Sequence, residues 1–447
     1  MQDVFKKLEQ AGHIYENEII QLYCNTDKKF LPDRYVVGTC PYCKADEQYS
    51  DLCEKCGRVP EEIENPHCSI CGQTPVKKKT KHYFFKLKNF SDKISQYLND
   101  NKNLQKDVKK YVQNWIKDGL TDWDITRDIS WGIPIPTDGP SEKVFYGWFD
   151  NHLAYISSTI KFLNGNGKDG KKFWNESDIY HFIGKDIVYH HYLFLPAIRL
   201  GIEEEYKLPD YIPTRGHLTL QSKKISKSRN WYIGLKDFLE IFPADYLRFY
   251  LISINPYSQD DLNFNWDEFA TKINSELIGN LGNLVNRVLG FTVKSFNSIV
   301  PGPDEFDDMD KESEKMINEL VSHLDTLMTE NHLDRSLKKI LQFSAHFNQY
   351  FQHKEPWKNG PGTNTCVFLS VNAIRSLAIA VYPFLPESSQ KIWLQLGLDG
   401  NVSAQMFDEI SNITLKQGHK LGSVSPLFEK VEESVIEEQK SKLGASS

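Results

Sequence analysis

Apolar and polar positions change their rhythm along this chain, and each change marks an element or a boundary. Residues 1–144 read as a small α/β region: the apolar run HYFFKL at 82–87 predicts a buried strand, and the 91–117 stretch carries helical spacing. From 145 to about 235, short apolar runs alternate with helical patterns, in VFYGWFD, DIYHFIGKD and HLTLQ, which predicts strands of a parallel sheet. Residues 236–270 form a junction. From 271 to 432 the spacing is that of long amphipathic helices, broken at Pro301-Gly302-Pro303, at Asn359-Gly360-Pro361-Gly362 and between Pro383 and Pro386, which predicts a helical bundle. The last segment, 433–447, is polar and expected to fray. The expected fold class is therefore α/β plus all-α.

Composition narrows the function classes. The 447 residues suffice for about three domains. A net charge of −7 argues against general coating of a polyanion, so nucleic acid would be held by local patches such as VKKKTK at 76–81 or the lysines within 102–110, unless these are solvated faces. The N-terminus lacks the apolar run of a signal peptide, and the apolar stretch at 376–386 is short and broken by proline. The expectation is a cytoplasmic protein with no membrane partner.

Six of the eight cysteines fall between 40 and 71 as three Cys-x-x-Cys pairs: Cys40 with Cys43, Cys53 with Cys56, and Cys68 with Cys71. Each pair can clamp one edge of a tetrahedron, and two pairs close a four-thiolate zinc site. Gly57 and Gly72 suit the turns of zinc knuckles, spanning about 38–75. The expected ligands are Cys40, Cys43, Cys53 and Cys56, with Cys68 and Cys71 as alternatives or as part of a second site, hence one or two Zn2+ per chain. Cys24 and Cys366 stand alone and read as ordinary thiols.

After the alternating HLTLQ comes Lys224-Ile225-Ser226-Lys227-Ser228, two mobile ammonium groups on a small-residue loop that can follow a polyphosphate as charge builds on it. By itself such a pentapeptide is most often a solvated loop. In the bundle, Leu277, Leu281, Leu284 and Val288 of SELIGNLGNLVNRVLGF fall on one stripe, and Asn283 and Arg287 share another face. An amide and a guanidinium at that spacing suit the Watson–Crick edges of splayed bases, on one of which Trp357 could stack. Without further context they read as surface, and Trp357 as a loop anchor.

The pentapeptide closely resembles the KMSKS loop of class I aminoacyl-tRNA synthetases, with Ile225 in place of Met. FLPDRYVVGTCPYC, DLCEKCG, NPHCSICGQTP, WDITRDISWGIPIP, YHFIGKDIVY, KKISKS and GNLGNLVNR, spread over nearly the whole chain, make it similar to methionyl-tRNA synthetases of the archaeal and bacterial type with paired zinc knuckles. The resemblance implies a Rossmann-like catalytic domain with a zinc-binding connective insertion, then an anticodon-binding bundle. It implies methionine, ATP with Mg2+ and tRNA(Met) as substrates, with Lys224 and Lys227 catalytic and Gly184, Lys224, Ser226, Lys227 and Ser228 at ATP. Trp148, Tyr155, Asp186 and His191 match methionine-binding positions, Asp186 accepting from the α-ammonium. Asn283, Arg287 and Trp357 match readers of the CAU anticodon. Departures fall at Asn151, His152, His190 and Leu195.

The family's His-x-Gly-His string does not occur in the 447 residues. The expectation drawn from this is a C-terminal portion, 145–235 holding the second half of the catalytic fold, with activity needing a separate or missing N-terminal half. The alternatives are a non-catalytic tRNA-binding protein and a related class I synthetase with altered amino-acid choice.

Overall fold

The computed structural model describes residues 1–50, 53, 55, 60–136, 143–202, 206–227 and 229–444. The chain folds as two compact units, Met1–Pro213 and Thr214–Ser447.

In the first unit the longest ladder is antiparallel, Ile14–Cys24 against Val76–Phe85, in register from Ile14↔Phe85 to Tyr23↔Val76. HYFFKL is thus the end of a longer strand. Its first half, VKKKTK, has lysines facing the neighbouring strand's acids: Lys79 pairs with Glu18 at 2.7 Å and Lys81 with Glu16 at 2.8 Å. Exposed pairs of this kind add little stability, but they occupy two of the lysines of the expected nucleic-acid patch. Beneath this sheet Phe5, Leu8, Phe85, Phe90, Ile94 and Leu98 form one core with Phe145, Phe149, Tyr192 and Leu193. The 91–117 stretch forms two helices, Ser91–Asp100 and Lys106–Asp118.

VFYGWFD is not a strand of a parallel sheet. Only Val144–Phe145 is extended, paired antiparallel with Thr126–Arg127, and Gly147 begins a helix that runs to Gly165. The apolar positions Phe149, Leu153 and Ile156 are buried at helical spacing, which outweighs the β preference of the aromatics in so short a run. Parallel pairing does occur, at Tyr180↔Tyr211 in the first unit and at Leu218–Leu220 with Leu262–Phe264 in the second.

A buried charge cluster ties WDITRD to the long ladder. Each ring nitrogen of the fully buried His82 lies 2.7 Å from a carboxylate oxygen, Nδ1 from Asp124 and Nε2 from Asp128. The Thr80 hydroxyl donates to Asp128 at 2.9 Å, and Lys143 Nζ also contacts Asp128. Burial opposes charge on His82, but the two carboxylates raise its pKa above the usual value. Burial likewise opposes charge on Asp128, and His82 and Lys143 bring it down to about 2. Replacing His82 by Phe takes one hydrogen-bonded partner from each carboxylate, Asp128 keeping Thr80 and Lys143, and is expected to cost about 3 kcal/mol. The raised histidine stabilises the fold fully below its unfolded pKa of about 6.5 and loses that contribution as pH rises through its folded value. The gap in unfolding free energy between wild type and His82→Phe should therefore narrow as denaturation is repeated at rising pH above neutrality. A gap that widens would mean a neutral His82.

In the second unit Thr363–Val381 is the central helix. It is long and apolar enough to cross a bilayer, but 94% of its apolar window is buried inside the protein, so it serves as the core onto which the other helices pack. Residues 236–270 hold the helices Leu235–Ile241, Ala244–Ser253 and Trp266–Lys272 and the strand Leu262–Phe264. Among its described residues, 433–444, the polar tail does not fray: Glu433–Ser441 is a helix with Ile436 buried, and the Gly444 amide donates to the Asn230 carbonyl at 2.8 Å. One buried isoleucine and this hydrogen bond anchor a segment whose charge suggested solvent.

Candidate functional site

The lysine-rich loop is a small hairpin. Leu218–Leu220 pairs antiparallel with Lys223–Lys224 through a two-residue turn in which Gln221 and Ser222 both take left-handed φ, 48° and 60°. Non-glycine residues in that region carry strain. Here Ser222 N–H donates to Asn263 Oδ1 at 2.6 Å, which helps hold the turn. Gly216 lets the strand lie against 260–262: a Cβ there would sit 1.9 Å from the Asp260 carbonyl oxygen. Past the turn, Ser226 and Trp231 exchange backbone hydrogen bonds of 2.9 Å, and Trp231 Nε1 donates to the Leu220 carbonyl at 2.9 Å. The result is a hairpin with Lys224 exposed on its second strand, followed by a loop closed by Ser226 and Trp231 in which Lys227 is exposed. Ser228 lies outside the described residues.

In the first unit a cluster of aromatic and imidazole rings gathers along the first half of the helix Gly147–Gly165. Trp148 lies in its first turn, not in a strand, and its ring centroid is 4.3 Å from that of His190. Tyr155, two turns on, has its hydroxyl 3.2 Å from His191 Nε2. His191 Nδ1 lies 3.0 Å from the Ile187 carbonyl, so Nδ1 carries the proton and Nε2 accepts from Tyr155. Burial lowers the pKa of His191 and holds His190 down to about 4, so both rings are neutral near pH 7. His190–Phe194 is a π-helical turn, an irregularity frequent at functional sites. Leu195 is fully buried. Gly184 ends a short strand, and Asp186 is exposed in the single 3-10 turn that follows, where its carboxylate favours the charged forms of His190 and His191. Sequence reasoning missed His181, whose ring lies 4.6 Å from Tyr155 and 5.6 Å from His191. Its place in YHFIGKD, five residues before Asp186, was the available signal.

The cysteines form two groups. Cys40, Cys43 and Cys53 have their Sγ atoms within 4.8 Å of one another, with Cys43 and Cys53 3.6 Å apart. Cys56, the fourth expected ligand, lies outside the described residues. The second group corrects the reading of Cys24 as an ordinary thiol: Cys24, Asp27, Cys68 and Cys71 also fall within 4.8 Å of one another. Cys24 Sγ is 3.4 Å from Cys71 Sγ, and both Cys24 and Cys68 lie 3.1 Å from Asp27 Oδ2. Around one zinc, thiolates at about 2.3 Å stand roughly 3.8 Å apart, close to these separations, whereas a disulfide needs about 2.05 Å. Amides also point at the sulfurs, Asp27 N–H to Cys24 at 3.3 Å and Ile70 N–H to Cys68 at 3.5 Å, as suits thiolate ligands. Both donor sets fit zinc. Cys366, by contrast, is a buried core thiol.

In the bundle Asn283 and Arg287 are brought together on one side, preceded by a π-helical stretch, Ile273–Gly282. Arg287 is half-buried, its guanidinium carbon 5.1 Å from the Trp357 ring centroid and 5.4 Å from that of Phe351. Trp357 is 41% exposed, on a 3-10 turn flanked by Glu355 and Asn359 in left-handed conformation. Leu277, Leu281, Leu284 and Val288 are all buried.

Residues 1–289 match the family model described as tRNA synthetases class I (M), and residues 300–447 match the anticodon binding domain of methionyl tRNA ligase. Among curated relatives, a methionine--tRNA ligase of Methanopyrus kandleri is 39% identical over 99% of this chain and 66% of its own length. That of Pyrococcus furiosus is 39% identical over 97% of the chain and 62% of its own length. The chain thus spans about two thirds of the relatives it matches; the family match begins at residue 1 and the relatives' matches take in 97% and 99% of the chain, which does not support the expectation that its N-terminal half is missing. A Mycobacterium tuberculosis methionyl-tRNA synthetase in complex with methionyl-adenylate shares the fold, with a TM-score of 0.77 at 23% identity over 96% of this chain and 79% of that one.

Proposed function

The chain belongs to the class I tRNA synthetases of the methionyl branch, and on that premise we propose that it activates methionine with ATP and transfers it to tRNA(Met). The observation that carries this is the braced hairpin presenting Lys224 on its second strand and Lys227 in the loop that follows, both exposed. Activation joins a carboxylate to the α-phosphate and expels pyrophosphate, so the protein chiefly positions reactants and offsets developing charge. Lys224 and Lys227 supply that charge, Ser226 and Ser228 would bind ATP beside them, and Gly184 leaves room for the nucleotide. Trp148, Tyr155 and His191 would line an apolar, neutral pocket suited to a thioether, which offers little to hydrogen bonding. Asp186 would accept from the α-ammonium.

The two cysteine groups would each hold one zinc, Cys40, Cys43, Cys53 and Cys56 at one and Cys24, Asp27, Cys68 and Cys71 at the other. The ion would cross-link chain segments that carry little apolar core of their own. Asn283, Arg287 and Trp357 would read the CAU anticodon. The domain limits expected above and a cytoplasmic location belong to the same proposal.

Methionine-dependent ATP–pyrophosphate exchange tests the activity, run on the chain alone and again with an added polypeptide carrying a His-x-Gly-His half. A panel of other amino acids tests choice, since His190, its ring tilted against Trp148, would alter the pocket wall. For the anticodon, Trp357→Ala and Arg287→Ala are each expected to weaken binding of CAU tRNA roughly ten- to a hundredfold, with loss of preference over an altered anticodon. Equal losses for both anticodons would assign these residues to backbone contact or folding.

A further inference from the structure

Arg215 ends the short strand Thr214–Arg215, directly before the lysine hairpin, and is half-buried. Its Nη2 donates to the Asn331 carbonyl at 2.9 Å, and its guanidinium carbon lies 4.3 Å from the centroid of the Tyr257 ring. Asn331 is a buried residue in left-handed conformation, φ 63°, in the turn that joins the bundle helices Asp308–Thr329 and Leu333–Lys354. Tyr257 precedes the segment on which the hairpin is seated, where His217 N–H donates to Asp261 Oδ1 at 2.7 Å and Leu262 N–H donates to the His217 carbonyl at 2.8 Å. One guanidinium thus joins the foot of the hairpin, the junction segment and the end of the bundle. Burial lowers the pKa of Arg215 while Tyr257 and Asp334 oppose that, and a guanidinium keeps its charge either way.

We propose that Arg215 is a positioning residue for the activation step, fastening the hairpin to the end of the bundle so that Lys224 and Lys227 act from a fixed base. The proposal rests on the reading of the lysine loop given above. Charge stabilisation works when the cations are in place before negative charge develops, so anything that lets the hairpin swing lowers turnover without removing a charge. Arginine suits the place because its face can stack on Tyr257 while its edge donates to Asn331. A lysine would reach the carbonyl as a point donor and lose the stacking. A methionine would fill the space and leave the buried Asn331 carbonyl without this donor.

The test is methionine-dependent ATP–pyrophosphate exchange, in the mixture that supports it, with amide hydrogen exchange on the same full-length proteins. Arg215→Met should lower turnover roughly ten- to a hundredfold, as a displacement of about 1 Å does, with the Michaelis constant for methionine nearly unchanged. Arg215→Lys should recover part of the loss. The Ser226 and Trp231 amides, which bond each other's carbonyls across the loop, should exchange faster in Arg215→Met than in wild type, while amides of the central helix Thr363–Val381 keep their rates. This readout needs no turnover and separates loss of position from general loss of fold. If Lys227→Ala abolishes pyrophosphate exchange but Arg215→Met turns over like wild type, or if the Ser226 and Trp231 amides keep their wild-type rates, the proposal is wrong while the reading of the loop stands. If the central-helix amides speed up equally, Arg215 supports the fold as a whole and the proposal is again overturned. If pyrophosphate exchange is indifferent to Lys227 as well, the reading of the loop falls and this proposal with it.

Discussion

Lys227→Ala is expected to lower the turnover of methionine-dependent ATP–pyrophosphate exchange by roughly 10²–10³-fold, with much less change in the Michaelis constant for methionine. The ammonium sits in the loop that follows the hairpin, closed by the Ser226–Trp231 pair and held by the Trp231 bond to the Leu220 carbonyl. Its substitution therefore removes a charge and leaves the scaffold. That charge acts on negative charge growing between the α-phosphate and pyrophosphate, a contact made in the transition state and weakly before it. Turnover and kcat/KM should fall together. Were methionine affinity to drop as far as turnover, the loop would be acting by closing the pocket. A change below about threefold would demote it to surface decoration.

The second large effect concerns metal. Two zinc ions per chain are expected by elemental analysis of protein purified without chelator, and Cys53→Ser and Cys24→Ser should each remove one. Cys24→Ser separates the structural account from what spacing suggests, because Cys24 has no partner cysteine close in sequence, and an ordinary thiol could be lost without consequence. Structural zinc is worth roughly 10–16 kcal/mol of apparent binding free energy at pH 7, so losing it should unfold the affected knuckle. Increased proteolysis between residues 24 and 75 would report that. Unchanged zinc content in Cys24→Ser would show that its closeness to Cys68 and Cys71 is packing alone.

Much of the site was legible because its chemistry is local in sequence. The three Cys-x-x-Cys pairs, the KISKS loop and the stripe of Leu277, Leu281, Leu284 and Val288 each declare themselves within a few residues. What stayed hidden depends on long-range pairing. Cys24 reaches Cys68 and Cys71 because the ladder ending at Tyr23↔Val76 brings the end of one strand beside the start of another about fifty residues on, and no local pattern encodes that register. Arg215 meets Asn331 and Tyr257 through packing of distant segments, and in sequence it looks like any solvated arginine. The turn at Gln221-Ser222 was masked for a different reason: left-handed backbone usually announces itself by glycine, and here neighbouring hydrogen bonds carry the strain. VFYGWFD misled because aromatics favour strands locally, while burial of Phe149, Leu153 and Ile156 at helical spacing decided the outcome. The tail held a weak signal in Ile436, outvoted by its charged neighbours.

The most direct test of the central claim is exchange of labelled pyrophosphate into ATP, with methionine present or withheld, by the wild-type chain with and without an added His-x-Gly-His half, and with Lys227→Ala alongside. The account predicts exchange that requires methionine in at least one of the two wild-type mixtures and falls by two orders of magnitude or so in the variant. Exchange absent from both mixtures, or present and indifferent to methionine and to Lys227, would contradict it.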